Sequence, residues 1–506
     1  PQTDVNLTSP PLPPACTATL ADGRPVPSHF PAAPFTIDDH IPPSATTCFP
    51  ATPGAPQGPA GGVAVGQGRT GGCTRDLVHQ YYQEQYQLDG GRLDRYVTAS
   101  NAAGLTLGRY RTTDLPLYRY LTGTGAPRYV IADRFFQAAF GGSFLNHQWL
   151  IGARTPEWPG ADTSGSQAGC ETGPAGCDLH SAVDANGMPG SAPLYRPSAR
   201  PGAPAAGAAA PTVKDGPLTV AGDGHGGCRP SYAGALTPPP GTTCGDFAVN
   251  TIQPPFLPWA PGTPPGRRLP PQTAPTIGDR LSGARLSWAW YGGGWANAAG
   301  VKTSAGWTNG PGPACADPRA STASVYPHCP DIRFQYHHQP FNYFAAYGDD
   351  TPGHRARRAA HLKDEADFRA ALLAGRLPAV SFVKPLGTEN EHPGYGSEHE
   401  GDEHTVELIR AIQADRADWP STVVILTYDE FGGSADHIAP PRSDRWGPGT
   451  RIPAMILSPL LPAGPRVDHT VYDTTSILAT IERRFGLAPL GGRDQAGADF
   501  LGLFRG

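Results

Sequence analysis

The chain lacks a basic excess. Its 39 Lys and Arg are outnumbered by 44 Asp and Glu, giving a net charge of -5, so no positive field invites nucleic acid. It also lacks any apolar run of about 18 residues, so no transmembrane helix is expected. The opening residues, PQTDVNLTSPPLPPACTATL, have neither a basic n-region nor an apolar h-region. The expectation is a signal already removed, or a chain that starts downstream of one. No cysteine stands in C-x-x-C spacing, which argues against a zinc site. The Gly-Gly-Ser at 141–143 lacks the G-x-S-x-G spacing of a hydrolase nucleophile elbow.

What is present begins with 64 glycines and 59 prolines, nearly a quarter of 506 residues and close to a low-complexity composition. They are concentrated in particular segments, which predicts a packed core carrying long irregular insertions. Residues 1–72 read as an extended segment packing on the core. Residues 73–155 and 281–506 read as one catalytic domain, split by a Gly/Pro/Cys-rich insertion over 156–280. The nine cysteines include three near pairs, Cys170/Cys177, Cys228/Cys244 and Cys315/Cys329, each closing a short loop. Disulfides stapling the insertions are the natural expectation, and they place the chain in an oxidising compartment, periplasmic or secreted. Abundant Ala, Gly, Pro and Arg with few lysines suggest a GC-rich bacterial genome.

Elsewhere the periodicity is regular. Residues 74–103 predict a helix broken at Gly90-Gly91, 129–133 a strand, and FLNHQWLIGA a helix behind Ser143. Strands are predicted in 285–295, 377–385, 421–433 and 451–459. Helices are predicted in 341–348, 368–375, 401–414 and 472–486, the last capped by Gly486. The 421–433 run, STVVILTYDEFGG, reads as the most strongly buried strand. Strands alternating with helices predict an α/β fold with a mostly parallel sheet covered on both faces. In such sheets ligands sit at the carboxyl ends of strands.

Polar residues at those ends are therefore the candidates. Asp429 and Glu430 follow an apolar strand and precede Gly432-Gly433. Two adjacent carboxylates there need a cation or protons to offset them, and a divalent metal suits carboxylate oxygens. The rival reading is a solvated strand end. His337-His338 and His392 stand where a proton donor would be useful. His354, His361, His399 and His404 are expected to be structural or surface residues. His79 lies on the first helix and could face either way. Ser143, on a strand-to-helix turn with Asn146 close behind, could attack phosphorus or sulfur if a metal lowered its proton affinity. Alone, the Gly-Gly-Ser would be only a turn.

Six stretches together, DLVHQYYQEQYQLDGGRLDRYV, FFQAAFGGSFLNHQWLI, FQYHHQPFNYF, NEHPGY, LTYDEFGGSADHIAPP and YDTTSILATIERRFGL, resemble the bacterial acid phosphatase/phospholipase C phosphoesterases of the alkaline-phosphatase-like superfamily. The acid phosphatase branch fits better, through GGSFLNHQWLI and the QYYQEQYQ helix. The resemblance implies a three-layer α/β/α sandwich, one divalent metal ion and a serine nucleophile. Ser143 would be that nucleophile, and Asp429 and Glu430 metal ligands. His338 and His392 would bind phosphate oxygens or protonate the leaving group. His79, Asn146, His337 and His437 would contact substrate. The family's opening strand, which ends in Glu-Asn and completes the metal site, has no match, so the resemblance implies a chain truncated at its start.

The expected function is metal-dependent hydrolysis of a phosphomonoester through a phosphoserine. Two alternatives are a phospholipase C-type phosphodiesterase acting on a phospholipid headgroup and a catalytically silent binding protein. Sulfatase chemistry is set aside, because the C-x-P-x-R segment that supplies its aldehyde is missing.

Overall fold

The computed structural model describes residues 34–39, 77, 79, 81–94, 96, 106–156, 219–220, 229–230, 271–299, 334–392, 396–444, 446–464 and 466–505. All nine cysteines, most of 1–72 and most of the 156–280 insertion lie outside these residues, and with them the expected disulfides.

The described residues form an α/β structure with two principal sheets. One has three parallel strands, with Trp288–Gly292 in the middle and Leu362–Asp364 and Val380–Lys384 on either side. The middle strand, WAWYG, is buried at every residue, as a strand covered on both faces must be. Its register pairs Gly292 with Lys384, which brings Lys384 to the carboxyl end of the sheet. The other sheet has four strands in the order Val424–Thr427, Ala454–Leu457, Tyr129–Ala132 and Arg466–Asp468. It is mixed. Ala454–Leu457 runs antiparallel to both neighbours, while Arg466–Asp468 is parallel to Tyr129–Ala132.

Several expectations shift in detail. The helix predicted over 74–103 is short, Tyr81–Leu88, followed by a 3-10 turn. It stops because Asp89 and Gly90 adopt positive φ of 45° and 65°, the left-handed region that ends a helix. The strand expected to be the most buried, Val424–Thr427, is only half-buried throughout. Among the described residues it has one strand neighbour, whereas Ala454–Leu457, paired on both sides, is fully buried. Residues 341–348 form 3-10 turns instead of an α-helix. Helices Pro116–Thr122, Ile277–Gly283 and Pro352–His361 carried no recognised signal. The short helices Trp295–Ala298 and Gly492–Ala496 were likewise unexpected, whereas Ser143–Gly152, Glu365–Leu373, Glu398–Ala414 and Thr475–Phe485 form where the apolar periodicity placed them.

The largest core cluster joins the Ser143–Gly152 helix to the three-stranded sheet through Phe144, Leu145, Trp149, Trp288, Trp290 and Phe341. The Ser143 turn is therefore held against the sheet that carries Lys384.

Candidate active site

Ser143 is the first residue of its helix and is 1 % exposed. The turn before it needs glycine at 141, where φ is +92°. Asn146 stitches that turn together. Its Oδ1 accepts from the Ala139 N–H at 2.9 Å, and its Nδ2 donates to the carbonyls of Ala139, Gly141 and Gly142. The Ser143 hydroxyl donates to Glu430 Oε1 at 3.1 Å. A contact between residues 287 positions apart brings together the two motifs that the sequence had placed at separate strand ends.

Asp429 and Glu430 follow the Val424–Thr427 strand but have different surroundings. Lys384 Nζ donates to Asp429 Oδ1 at 3.1 Å, and His147 Nδ1 lies 3.4 Å from Oδ2. Burial works to raise the Asp429 pKa, but the Lys384 ammonium and His147 more than offset it and hold it well below the usual carboxylate range. Glu430 lacks such a partner. Burial raises its pKa to about 7, although His79, whose Nε2 is 3.5 Å from Oε1, pulls it down. Of two neighbouring carboxyls, then, one is firmly ionised and the other is poised near neutrality.

Histidines line the same centre. His147 donates from Nδ1 to the Ser143 carbonyl at 2.7 Å and stacks on His338, ring centres 5.0 Å apart. His337 and His338 meet edge to face at 4.4 Å, and the Trp290 indole N–H holds the His338 carbonyl. Burial is the main cause that pushes His147 down to about 4 and the other two well below the ordinary range, so all three are neutral imidazoles near neutral pH. His79 is buried and lies edge-on to the half-buried His392, ring centres 5.8 Å apart. His437 is exposed, and no hydrogen bond, ion pair or ring contact ties it to these groups among the described residues.

Of the nine candidate residues, the structure gathers Ser143, His79, His337, His338, His392, Asp429 and Glu430 around one centre. It uses Asn146 within the turn and leaves His437 outside. Two residues were missed. His147 sits four residues after Ser143, hence on the same helix face. Lys384 ends a strand just before Pro385. Each signal was available: helical spacing for the first, a polar strand end for the second.

The donor set fits a divalent transition metal. His147, His338 and Asp429 each offer a ligand atom within 4.8 Å of the others. Asp429 Oδ2 and His338 Nε2 are buried without a hydrogen-bond partner, the state in which ligating atoms are found before an ion is added. Neutral imidazoles and an ionised carboxylate are also the protonation states that ligation requires. A second group, Glu365, Glu389 and His404, is already satisfied internally. His404 pairs with Glu365 at 3.0 Å, and Arg369 pairs with Glu365 at 3.2 Å.

A buried hydroxyl faced by a near-neutral carboxyl, with an ammonium and imidazoles alongside, suits an anionic ester more than an amide or a hydride acceptor. Such a centre can support phosphoryl transfer on an α/β frame. Residues 63–488 match the Phosphoesterase family, and the chain belongs to that family. It is similar to Phospholipase C B of Mycobacterium tuberculosis, 32 % identical over 145 residues, covering 24 % of this chain and 27 % of that protein. It is also similar to a Non-hemolytic phospholipase C of Pseudomonas aeruginosa, 29 % identical over 147 residues, covering 23 % and 21 %. A third relative is the Non-specific phospholipase C6 of Arabidopsis thaliana, 27 % identical over 151 residues, covering 24 % and 29 %. The chain thus spans roughly a quarter of the length of these curated relatives.

Proposed function

We propose that the chain hydrolyses phosphomonoesters through a covalent phosphoserine on Ser143. The observation that carries this reading is the 3.1 Å hydrogen bond from the Ser143 hydroxyl to Glu430, beside a Lys384–Asp429 pair. Ser143 Oγ attacks phosphorus as its proton passes to Glu430, a carboxyl whose raised pKa makes it an effective base near neutrality. The bond from phosphorus to the ester oxygen breaks in line, and His392 protonates the departing alkoxide. Lys384 and the positive end of the Ser143–Gly152 helix offset the phosphoryl charge. Water then attacks the phosphoserine, giving its proton to His392, while Glu430 returns its proton to the departing Ser143 Oγ. His147, His338 and Asp429 would hold one divalent ion, which supplies Lewis-acid stabilisation of the phosphoryl oxygens. His79 and His337 complete the wall that contacts substrate. The expected three-layer arrangement and a periplasmic or secreted location belong to the same proposal. No described helix is long and apolar enough to cross a membrane.

The phosphodiesterase reading is favoured by the names of the relatives, all of them phospholipases C. The ammonium of Lys384 favours the monoester, whose extra negative charge it can neutralise. The two readings separate in one assay, with p-nitrophenyl phosphate and phosphatidylcholine as alternative substrates and Ser143→Ala as control. Turnover of the monoester, with a phosphoserine trapped on Ser143 in acid-quenched protein, is the expected result. Turnover of phosphatidylcholine alone would replace the reading with the diesterase. Turnover unaffected by Ser143→Ala would remove the nucleophile from both.

A further inference from the structure

Glu84 lies on the Tyr81–Leu88 helix and is completely buried. No Lys, Arg or His pairs with it among the described residues. Four donors meet it instead. Its Oε2 accepts from the Gly141 N–H at 2.5 Å and from Gln137 Nε2 at 2.9 Å. Its Oε1 accepts from the N–H and the hydroxyl of Thr450 at 2.6 and 2.7 Å. Gln137, also completely buried, extends the network. Its Nε2 donates to the Ala139 and Gly141 carbonyls, and its Oε1 accepts from the Phe431 N–H at 2.8 Å. Glu84 and Gln137 therefore grip the chain two residues before Ser143 and one residue after Glu430.

We infer that Glu84 is a positioning residue which, through Gln137, fixes the Gly141–Ser143 turn against the Asp429–Glu430 turn and so sets the Ser143–Glu430 contact. This rests on the reading of Ser143 as nucleophile. Three observations carry it. First, a carboxyl without a cation is a costly core group, and apolar packing would stabilise the fold at least as well. Second, the network it anchors ends on the Gly141 and Phe431 amides, one on each side of the Ser143–Glu430 contact, and it fixes a turn whose Gly141, at φ +92°, is free to adopt many other conformations. Third, room has been left for it. A Cβ on Gly449 would lie 2.6 Å from Glu84 Oε1 and 2.8 Å from Gln137 Cγ. Burial also raises the Glu84 pKa to about 8, and Thr450 can turn its hydroxyl to accept, so the grip survives in either protonation state.

The test uses Glu84→Gln in the 506-residue chain. Glutamine keeps the shape but has one acceptor oxygen, so one pair of donors is left facing an amide NH2. Gln137→Met, which cuts the bridge without touching Glu84, is the second variant should the first not fold. Ile409→Ala, in a buried site on the Glu398–Ala414 helix, serves as the destabilised control. Steady-state kinetics on p-nitrophenyl phosphate are paired with amide exchange of peptides covering 137–145 and 428–434. The expected result is a kcat lower by about 10²-fold with KM within about threefold of wild type. Exchange at both turns should quicken by about tenfold, while the control changes neither turn. Unchanged kcat, a rise in KM alone, or turns that exchange at the wild-type rate would overturn the inference. If the wild-type chain itself turns over no ester, the functional reading has failed, and exchange at the two turns alone decides the positioning role.

Discussion

Lys384 shows how much one side chain can set. Its ammonium is the cation that keeps Asp429 ionised and so keeps an anionic ligand available at any pH near neutrality. On the proposed mechanism it would also offset the developing phosphoryl charge. Lys384→Gln is therefore expected to lower kcat/KM for p-nitrophenyl phosphate by about 10²-fold. With the cation gone, burial is opposed only by His147 and the Ser143 hydroxyl, so the Asp429 pKa rises. The acid limb of the pH–rate profile should then move to higher pH, a direction that a purely structural loss would not produce. An acid limb left in place would show that Asp429 does not control it. The same residue marks what the sequence could reveal of the site. Carboxylates at a strand end and a serine on a glycine turn are legible, because the chemistry needs those types at those places. Lys384 and His147 are legible only once the strand register and the helix phase are known, for their neighbours are distant in sequence. Glu84 and Gln137 gave no signal: a polar residue on a helix reads as a solvated face, and one just after a short strand reads as part of a turn, until its burial is seen.

At the scale of elements, the Glu398–Ala414 helix is the piece on which the His392 loop rests. Gly401, in its second turn, lies against Glu391. A Cβ there would come 2.1 Å from Glu391 Cγ and 3.0 Å from its backbone nitrogen, and the backbone cannot yield. Gly401→Ala should cost on the order of 2 kcal/mol despite the better helix propensity of alanine, read as a lower midpoint in urea. A stabilised variant would mean the loop is loosely seated. Glu391 itself bonds to Tyr428 and to Asp402, and burial with the Asp402 charge pushes its pKa well above normal. A raised carboxyl stabilises the fold most below its unfolded pKa, and that contribution is lost as pH climbs through the folded value. Glu391→Gln, which can still donate to Asp402 and accept from Tyr428, should match wild type at pH 5 and melt a few degrees higher at pH 8, on the order of 1 kcal/mol. Equal melting at both pH values would show that the pair carries no proton. These elements were read well from periodicity where a helix is long and amphipathic or a strand is apolar. Short helices such as Pro116–Thr122 were invisible, because seven residues hold too few turns to show a period. Burial of Val424–Thr427 was overestimated, because an apolar run reports its composition and not how many neighbours pair with it.

For the whole molecule, the site is a junction. His147 comes from the Ser143–Gly152 helix, His338 from a 3-10 turn leading into the aromatic core, and Asp429 from the end of a strand in the four-stranded sheet. An ion held by all three would cross-link parts of the chain that are distant in sequence, adding to the hydrogen bonds that already join them. Because the unfolded chain offers no such site, binding adds to global stability, by about 2.7 kcal/mol at a concentration 100 times Kd. Melting temperature should thus rise with added Zn2+, Mn2+ or Co2+. It should rise less with Mg2+ or Ca2+, which prefer all-oxygen ligands. The dependence on pH has a definite sign: ligation needs neutral imidazole, so the shift should shrink on acidification as His147, His337 and His338 become charged. Asp429→Asn should abolish the shift, and Glu365→Gln should leave it intact. The reverse pattern would move the ion to the Glu365–Glu389–His404 group and leave Ser143 to act with protein groups alone. This readout needs no substrate and no turnover, so it tests the metal centre independently of the proposed ester hydrolysis.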